Sequence, residues 1–374
     1  MIMFNKPCVI GEEYQAVQEA IQSGSMSGNG PFSKKASGWL EKHLGTQRAL
    51  LTPSCTAALE MAAILTNAGP GDEVIMPSYT FVSTANAFAL RGAAIRFVDV
   101  KKETMNIDPV QIEAAITEKT KVIAVVHYAG VACDMDAIMA LAEKYQLWVV
   151  EDAAQALMSA YHQKPLGTIG HFGTISFHDT KNLQCGEGGA LLINHKKAVE
   201  RAEIIQEKGT NRSQFKRGMV DKYSWCDIGS SYLLSEINAA FLTVQLLHAA
   251  DITADRLRTW AHYDAELRDL QSLETPVIPP YSSNNAHMYY LKTTDEQTAD
   301  NLMSFLKQRD IIAVTHYVPL HSSAAGRKFG KFIGRDLYTT ADSSRLIRLP
   351  LYYGMKEEDI AYVCQSIMAF YQKS

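Results

Sequence analysis

The sequence predicts an α/β protein: a large, mostly parallel sheet covered by helices, followed by a smaller α+β unit. Three observations predict it. Short, β-branched apolar runs alternate with amphipathic segments over the first two-thirds of the chain, the pattern of successive βαβ units. These runs are apolar almost throughout, as expected for strands buried on both faces. Near Ser235 the alternation gives way to long helical spacing, and a Pro-rich break (PVIPPY, 276–281) follows.

In chain order, strands are expected at Glu73–Pro77 (EVIMP), 94–100 (AIRFVDV), 122–127 (VIAVVH) and 147–152 (LWVVED). Each is short and rich in β-branched residues. Helices are expected between and around them, at 56–66, 84–91, 110–117 and Met135–Tyr145. A further strand is expected at 173–178, then a Gly-rich turn (186–189) and another apolar run at 190–193. Ile237, Phe241, Val244 and Leu247 fall at helical spacing, and no Gly or Pro interrupts 235–270, which predicts one or two long helices. Beyond the Pro-rich break come a strand (288–292), a helix (299–308), strands at 312–317 and 344–349, and a terminal helix (357–371). The division this implies is 1–240 for the sheet unit and 241–374 for the smaller unit, which begins with a long linking helix.

The 374 residues are 47% hydrophobic, enough for about two packed domains without covalent staples. The 36 basic and 40 acidic residues give a net charge of −4, which offers no basic stripe for nucleic acid. The six cysteines are scattered, with no CxxC, and the histidines form no HExxH. No metal site is expected, and isolated thiols fit a reducing compartment. No basic and apolar leader and no membrane-length apolar run is read, so a cytoplasmic location is expected.

Four local stretches carry chemistry. TPSCTAALEMAA (52–63) places a Pro-Ser-Cys-Thr turn at the start of an apolar helix. Free amides and the helix dipole there favour an anion, with the hydroxyls of Ser54 and Thr56 at hand; an ordinary Ser/Thr cap gives the same pattern. Glu151 and Asp152 end a buried strand, on the edge where ligands of parallel sheets bind. A carboxylate there is costly unless it meets a cation, or unless it caps the next helix. SFHDTKN (176–182) sets Lys181 just past a strand, where burial would make its amine nucleophilic. PSYTFVST (77–84) sets Phe81 at another strand end, suited either to stacking on a planar ligand or to core packing. An anion cradle, a carboxylate, an aromatic and a lysine at the βα junctions of one sheet are the parts that pyridoxal phosphate requires.

These stretches, with GDEVIMPSYTFVSTANAF, VVEDAAQ, GEGGA, EKGTNRSQF, VDKYSW, DIGSSY and HYVPLH, resemble the DegT/DnrJ/EryC1/StrS sugar aminotransferases from end to end. The resemblance implies the fold type I (aspartate aminotransferase-like) architecture of PLP-dependent transferases, with pyridoxal 5'-phosphate as cofactor. It implies that Lys181 carries the cofactor and shuttles protons, and that Asp152 pairs with the pyridine nitrogen. Gln155 would contact the ring oxygen and Phe81 would stack on the ring. Cys55, Thr56 and Ser176 would hold the phosphate. Many members have Asn or Arg in the loop that reaches the neighbouring subunit's phosphate. Here that loop reads Gly229-Ser230-Ser231-Tyr232-Leu233, so Ser231 or Ser230 stands in. The resemblance further implies a homodimer with shared active sites, L-glutamate as amino donor and a nucleotide sugar as acceptor. The stretches NRSQF and IGSSY point to amination at C4 of a dTDP-4-keto-6-deoxyhexose.

A pyrophosphate-bearing substrate calls for cations, and Arg212, Lys216, Arg217 and Lys222 form a basic cluster in a polar loop. Tyr317 and His321 of HYVPLH are expected to line the sugar pocket. Competing readings are a related aminotransferase with the other C4 configuration or C3 specificity, a dehydratase of the same family, and a non-catalytic regulator. The dehydratases have histidine in place of the lysine, so Lys181 opposes that reading. No GxGxxG follows a strand, which opposes a Rossmann dehydrogenase.

Overall fold

The computed structural model describes residues 1–372. Two helices come first, α1 (Glu13–Gln22) and α2 (Pro31–Leu44). Pro31 opens α2, where a missing N–H costs nothing, and Gly45 closes it in the left-handed region at φ 73°. The alternating series is β1 (Arg48–Thr52), α3 (Cys55–Leu65), β2 (Glu73–Pro77), α4 (Val82–Ala89), β3 (Ala94–Val98), α5 (Pro109–Ala115), β4 (Thr120–Val126), α6 (Met135–Tyr145) and β5 (Trp148–Asp152). A two-stranded ribbon, β6 (Ala160–Tyr161) and β7 (Lys164–Pro165), leads to β8 (Phe172–Ser176) and β9 (Gly189–Ile193). Helices α7 (Val199–Gln206) and α8 (Arg212–Lys216) follow, then α9 (Glu236–Leu247) and α10 (Ala249–Leu267).

The large sheet has eight strands, in the order β1-β9-β8-β5-β4-β2-β3 and then β11 (Gly330–Phe332), which comes from the C-terminal part. Only β9 runs against its neighbours. The C-terminal ends of β2, β4, β5 and β8, and of β1, therefore share one edge. The strands face two cores. Ile75, Ile123, Val125 and Val149 pack against α2, α5, α6 and α9; Val74, Met76, Val122 and Val150 pack against α3, α4 and α7. This double burial is why the strand sequences are apolar without alternation.

The remaining elements are β10 (Tyr290–Lys292), α11 (Glu296–Lys307), α12 (Ala324–Phe329), α13 (Thr339–Ser344), β12 (Leu346–Arg348) and α14 (Glu357–Gln372). β10 and β12 form a small antiparallel sheet. A third core joins Tyr263 and Leu267 of α10 to Leu302, Leu306, Ile347 and Ile360, and Ile2 from the N-terminal segment completes it. The 240/241 position falls inside α9, whose Leu242 and Leu246 pack in the core beside the sheet.

Two sequence expectations change. Residues 312–317 make no strand: Val314 forms a single bridge to Arg348, and the chain then turns to present His316 and Tyr317. Ser344 ends a helix, and the strand expected from it starts at Leu346. β1, α1 and α2 were not anticipated, although α1 buries Ala16 and Ala20 and α2 buries Ala36, Leu40 and Leu44 at helical spacing.

Candidate active site

The site is built on the shared strand edge. The β1–α3 turn supplies the first part. Ser54 is the N-cap of α3, and its Oγ accepts the Ala57 amide at 3.1 Å. The next two amides, Cys55 and Thr56, have no hydrogen-bond partner among the described residues, so they remain available to an anion. Thr56 Oγ1 and Ser83 Oγ lie 2.7 Å apart beside them. Gly189 of β9 packs directly on this turn: a Cβ there would stand 2.4 Å from Cys55 N and Ser54 C. That contact explains the second half of the GEGGA stretch. Burial and the nearby Asp152 carboxylate push the Cys55 thiol pKa up, so the group is neutral. Ser176, at the end of β8, accepts the His178 amide at 3.3 Å and faces the same space.

The two acids at the end of β5 point to opposite faces. Glu151 is fully buried and saturated. It accepts amides of Gly167 (2.8 Å), Ile169 (2.7 Å) and Gly170 (2.5 Å), and its Oε2 lies 2.9 Å from His127 Nε2. It is a structural anchor. Asp152, 5% exposed, turns toward the cavity and receives only neutral donors, Thr84 Oγ1 at 2.7 Å and the Ala154 amide at 3.1 Å. Burial raises its pKa; the Thr84 and Ala154 hydrogen bonds, Lys181 and His127 offset this in part. A buried carboxylate without a cation in hydrogen-bond reach is incomplete until a positive group arrives.

Lys181 sits in the tight turn after β8, its amide bonded to His178 O at 2.9 Å. Its Nζ has no hydrogen bond or ion pair among the described residues. Enclosure lowers its pKa; Cys55 and Asp152 oppose this, and the positive Arg348 adds to it. The neighbouring Asn182 fixes the turn by donating to Asn285 O at 2.8 Å, with His287 Nδ1 on its Oδ1 at 3.0 Å. A cavity of about 400 Å³ is lined by Lys181, Asp152, the Cys55–Thr56 turn, Ser176 and Phe81. Phe81 remains 54% exposed although the strand before it is buried, which leaves a ring face free to stack.

The small unit closes the cavity with His316, Tyr317 and Arg348. His316 and Tyr317 stack at 3.6 Å, and Tyr317 Oη accepts from Gln155 Nε2 at 2.9 Å. Gln155 Oε1 accepts the Ala129 amide at 2.6 Å. Behind them Tyr128 Oη lies 2.8 Å from His316 Nδ1. Burial and Arg348 hold His316 well below the usual histidine range, so it is neutral.

The structure thus brings together Cys55, Thr56, Phe81, Asp152, Gln155, Ser176, Lys181 and Tyr317. His321 is placed elsewhere: its Nδ1 lies 2.7 Å from Ser78 Oγ and its Nε2 3.3 Å from Asp336. It clasps a strand end, and His316 takes the pocket position expected of it. Ser231, Arg212 and Lys222 do not line this chain's cavity. They lie at or beside the 211–231 loop, where Arg212 is 3.6 Å from buried Glu207. Sequence reasoning missed Thr84, Ser83, His287, His316 and Arg348. Thr84 and Ser83 stood inside the PSYTFVST stretch and His316 beside Tyr317, whereas Arg348 has no local signature.

The unpaired lysine, the uncompensated carboxylate and the two free amides match the aldehyde, pyridine nitrogen and phosphate of PLP, so the residues present fit this cofactor. Comparison with known proteins agrees. The chain is 31% identical to the Bacillus subtilis spore coat polysaccharide biosynthesis protein SpsC over 372 residues, 97% of this chain and 95% of that protein. Its fold matches the aminotransferase TlmJ of Streptoalloteichus hindustanus with a TM-score of 0.91 at 28% identity, covering 99% and 98% of the two chains. It also matches a Streptococcus pneumoniae chain, described as a sugar aminotransferase and solved in both PLP and PMP forms, with a TM-score of 0.90 at 25% identity over 100% of this chain and 99–100% of that one. The model of the DegT/DnrJ/EryC1/StrS aminotransferase family matches residues 7–368; the chain belongs to that family and is a PLP-dependent sugar aminotransferase of fold type I.

Proposed function

We propose that this chain moves the amino group of L-glutamate to C4 of dTDP-4-keto-6-deoxy-D-glucose, giving dTDP-4-amino-4,6-dideoxy-D-galactose and 2-oxoglutarate. The observation that carries the chemistry is the placement of Lys181 and Asp152 on one cavity, each without a charged hydrogen-bond partner in the protein. When bound, PLP supplies an electrophilic carbon and an electron sink. Lys181 Nζ then holds and returns the proton that moves between substrate and cofactor, and burial, by lowering its pKa, favours the free amine that this role requires. Asp152 keeps the pyridine nitrogen protonated, because its charge is otherwise uncompensated. The Cys55 and Thr56 amides orient the phosphate, and Phe81 fixes the ring plane. The choice of sugar rests on the NRSQF and IGSSY stretches, which resemble the transaminase of enterobacterial common antigen synthesis and so favour a surface-polysaccharide route.

The working unit in this reading is a homodimer. Arg212, Lys222 and Ser231 would meet the phosphate and pyrophosphate groups of the second copy's site. The exposure of Lys222 and Ser231 supports this, as does the exposure of Trp225 (81%) and Met219 (65%) in the same loop; Arg212 is half-buried at the start of α8. The test is product identification by NMR after incubation with 15N-labelled L-glutamate and a panel of dTDP- and UDP-keto sugars. Label on C4 with the galacto configuration is expected from the dTDP-4-keto sugar. Label at C3, or an equatorial C4 amine, would reassign the chain within its family.

A further inference from the structure

His287 lines the cavity, and no step above uses it. A chain of hydrogen bonds that starts beside Lys181 decides which of its ring nitrogens carries a hydrogen. Asn182 donates its Nδ2 to Asn285 O at 2.8 Å. A peptide carbonyl only accepts, so this contact fixes which end of the Asn182 amide is nitrogen. Asn182 Oδ1 then faces His287 Nδ1 at 3.0 Å. An amide oxygen also only accepts, so Nδ1 is the donor and carries the hydrogen. Burial, Lys181 and Arg256 hold the His287 pKa well below the usual histidine range, so the ring is neutral. Its single hydrogen is used on Nδ1, which leaves a lone pair on Nε2. Nε2 has no partner among the described residues and opens on the cavity. The backbone beneath the ring is held firmly. Asn285 Nδ2 donates to Gln155 O and Leu157 O at 2.9 and 2.8 Å, and buried Arg256 donates to Ala286 O and His287 O at 3.1 and 2.8 Å. His316 shows the contrast: its Nδ1 meets the Tyr128 hydroxyl, which can donate or accept, so its partner leaves the tautomer open.

We propose that His287 Nε2 accepts a hydrogen bond from the sugar hydroxyl on the carbon next to the keto group; this rests on the transaminase reading above. Chemistry selects this group over the others. A bare lone pair repels carboxylate and phosphate oxygens, which removes the acid groups of the amino donor, the cofactor phosphate and the pyrophosphate. The donor's amine is the reacting group itself and must shed its protons to react. Sugar hydroxyls remain, and they are donors. The ring is tied to the residue after Lys181 and lies near enough to feel the lysine charge, so the hydroxyl it meets stands beside the reacting carbon. In a 4-keto-6-deoxyhexose that is the C3 hydroxyl, because the other neighbour, C5, carries the methyl group. His287 thereby serves the sugar half of the reaction: it rewards a free hydroxyl at C3 and opposes any sugar that offers only an acceptor there.

Two measurements test this. The first is 15N NMR of the cofactor-free protein with labelled histidine at neutral pH, the His287 signals being assigned by their loss in His287→Gln. A neutral ring with hydrogen on Nδ1 and a bare Nε2 is expected; hydrogen on Nε2 would overturn the proposal. The second follows the sugar half-reaction of the amine-loaded enzyme with dTDP-4-keto-6-deoxyglucose and with its 3-deoxy analogue. Wild type is expected to favour the hydroxylated sugar by about 10-fold or more in kcat/KM. His287→Leu, checked for folding by circular dichroism, is expected to bring that preference within about threefold, with a smaller change in the glutamate half-reaction. A purely structural role would slow both sugars alike and preserve the preference. That result, or a wild type that treats the two sugars alike, would overturn the proposal. If His287→Leu does not fold, the tautomer and the wild-type preference decide. A wild type that shows the bare Nε2 but aminates no keto sugar would instead contradict the proposed function.

Discussion

Replacing Asp152 by Asn removes one charge while keeping the shape of the side chain. The Ala154 amide still finds an acceptor, and Thr84 still finds a partner. What disappears is the anion facing the cofactor nitrogen. Asp152 is 5% exposed and its two protein partners are neutral, so little else in the site can keep that nitrogen protonated. Breaking a buried charge pair by removing one member costs about 3–5 kcal/mol, which corresponds to roughly 10²- to 10⁴-fold in rate. The assay is single-turnover absorbance of the PLP-loaded protein mixed with L-glutamate. A loss below about threefold would refute the reasoning. The same substitution has an opposite effect on the cofactor-free protein. Burial raises the Asp152 pKa above its ordinary value of 3.8. A raised folded-state pKa contributes stability that is fully present below the unfolded value and is lost as pH climbs through the folded value. Ionisation of this carboxylate therefore destabilises the cofactor-free fold as pH rises above the unfolded-state value. Asp152→Asn should melt higher than wild type without PLP, and should gain less on adding it.

Other expectations follow from the same geometry. Glu151→Ala leaves three amides and His127 without their acceptor, so calorimetry or denaturant melts should show a loss of about 3–5 kcal/mol; a change under about 1 kcal/mol would deny Glu151 its anchoring role. Gly189→Ala must displace the start of α3, and PLP titration should show affinity reduced about tenfold or more. His321→Ala should lower the melting temperature while kcat stays within about threefold of wild type, because the side chain contacts Ser78 and Asp336 rather than the cavity. A kcat loss as large as that of Tyr317→Ala would return His321 to the site.

The sheet was legible because each strand is buried on both faces, so its apolar run is continuous. The helices between were legible from their periodic faces. β1 was not anticipated, although RALLT matches EVIMP in length and in its burial, partly exposed at the first residue and buried after it. The 312–317 run has strand composition, but β12 already pairs with β10, and only Val314 reaches it. Within the site, side chains carried by local motifs were legible: Lys181, Asp152, Phe81 and the 55–56 turn. Glu151 and Asp152 are adjacent in sequence, and only the sheet's pleat and its neighbours distinguish anchor from cofactor partner. His316 and His321 lie in one motif, and the turn after Val314 decides which enters the cavity. Arg348 comes from a separate strand of the smaller unit, so only tertiary packing brings it to Lys181.

The central claim is that one lysine, Lys181, carries the cofactor in this pocket. Borohydride reduction of the PLP-loaded protein, followed by peptide mass mapping, tests it directly. The expected result is a single phosphopyridoxyl label on the peptide containing Lys181, absent in Lys181→Ala. A label on another lysine, or none on a protein that takes up PLP, would contradict the account.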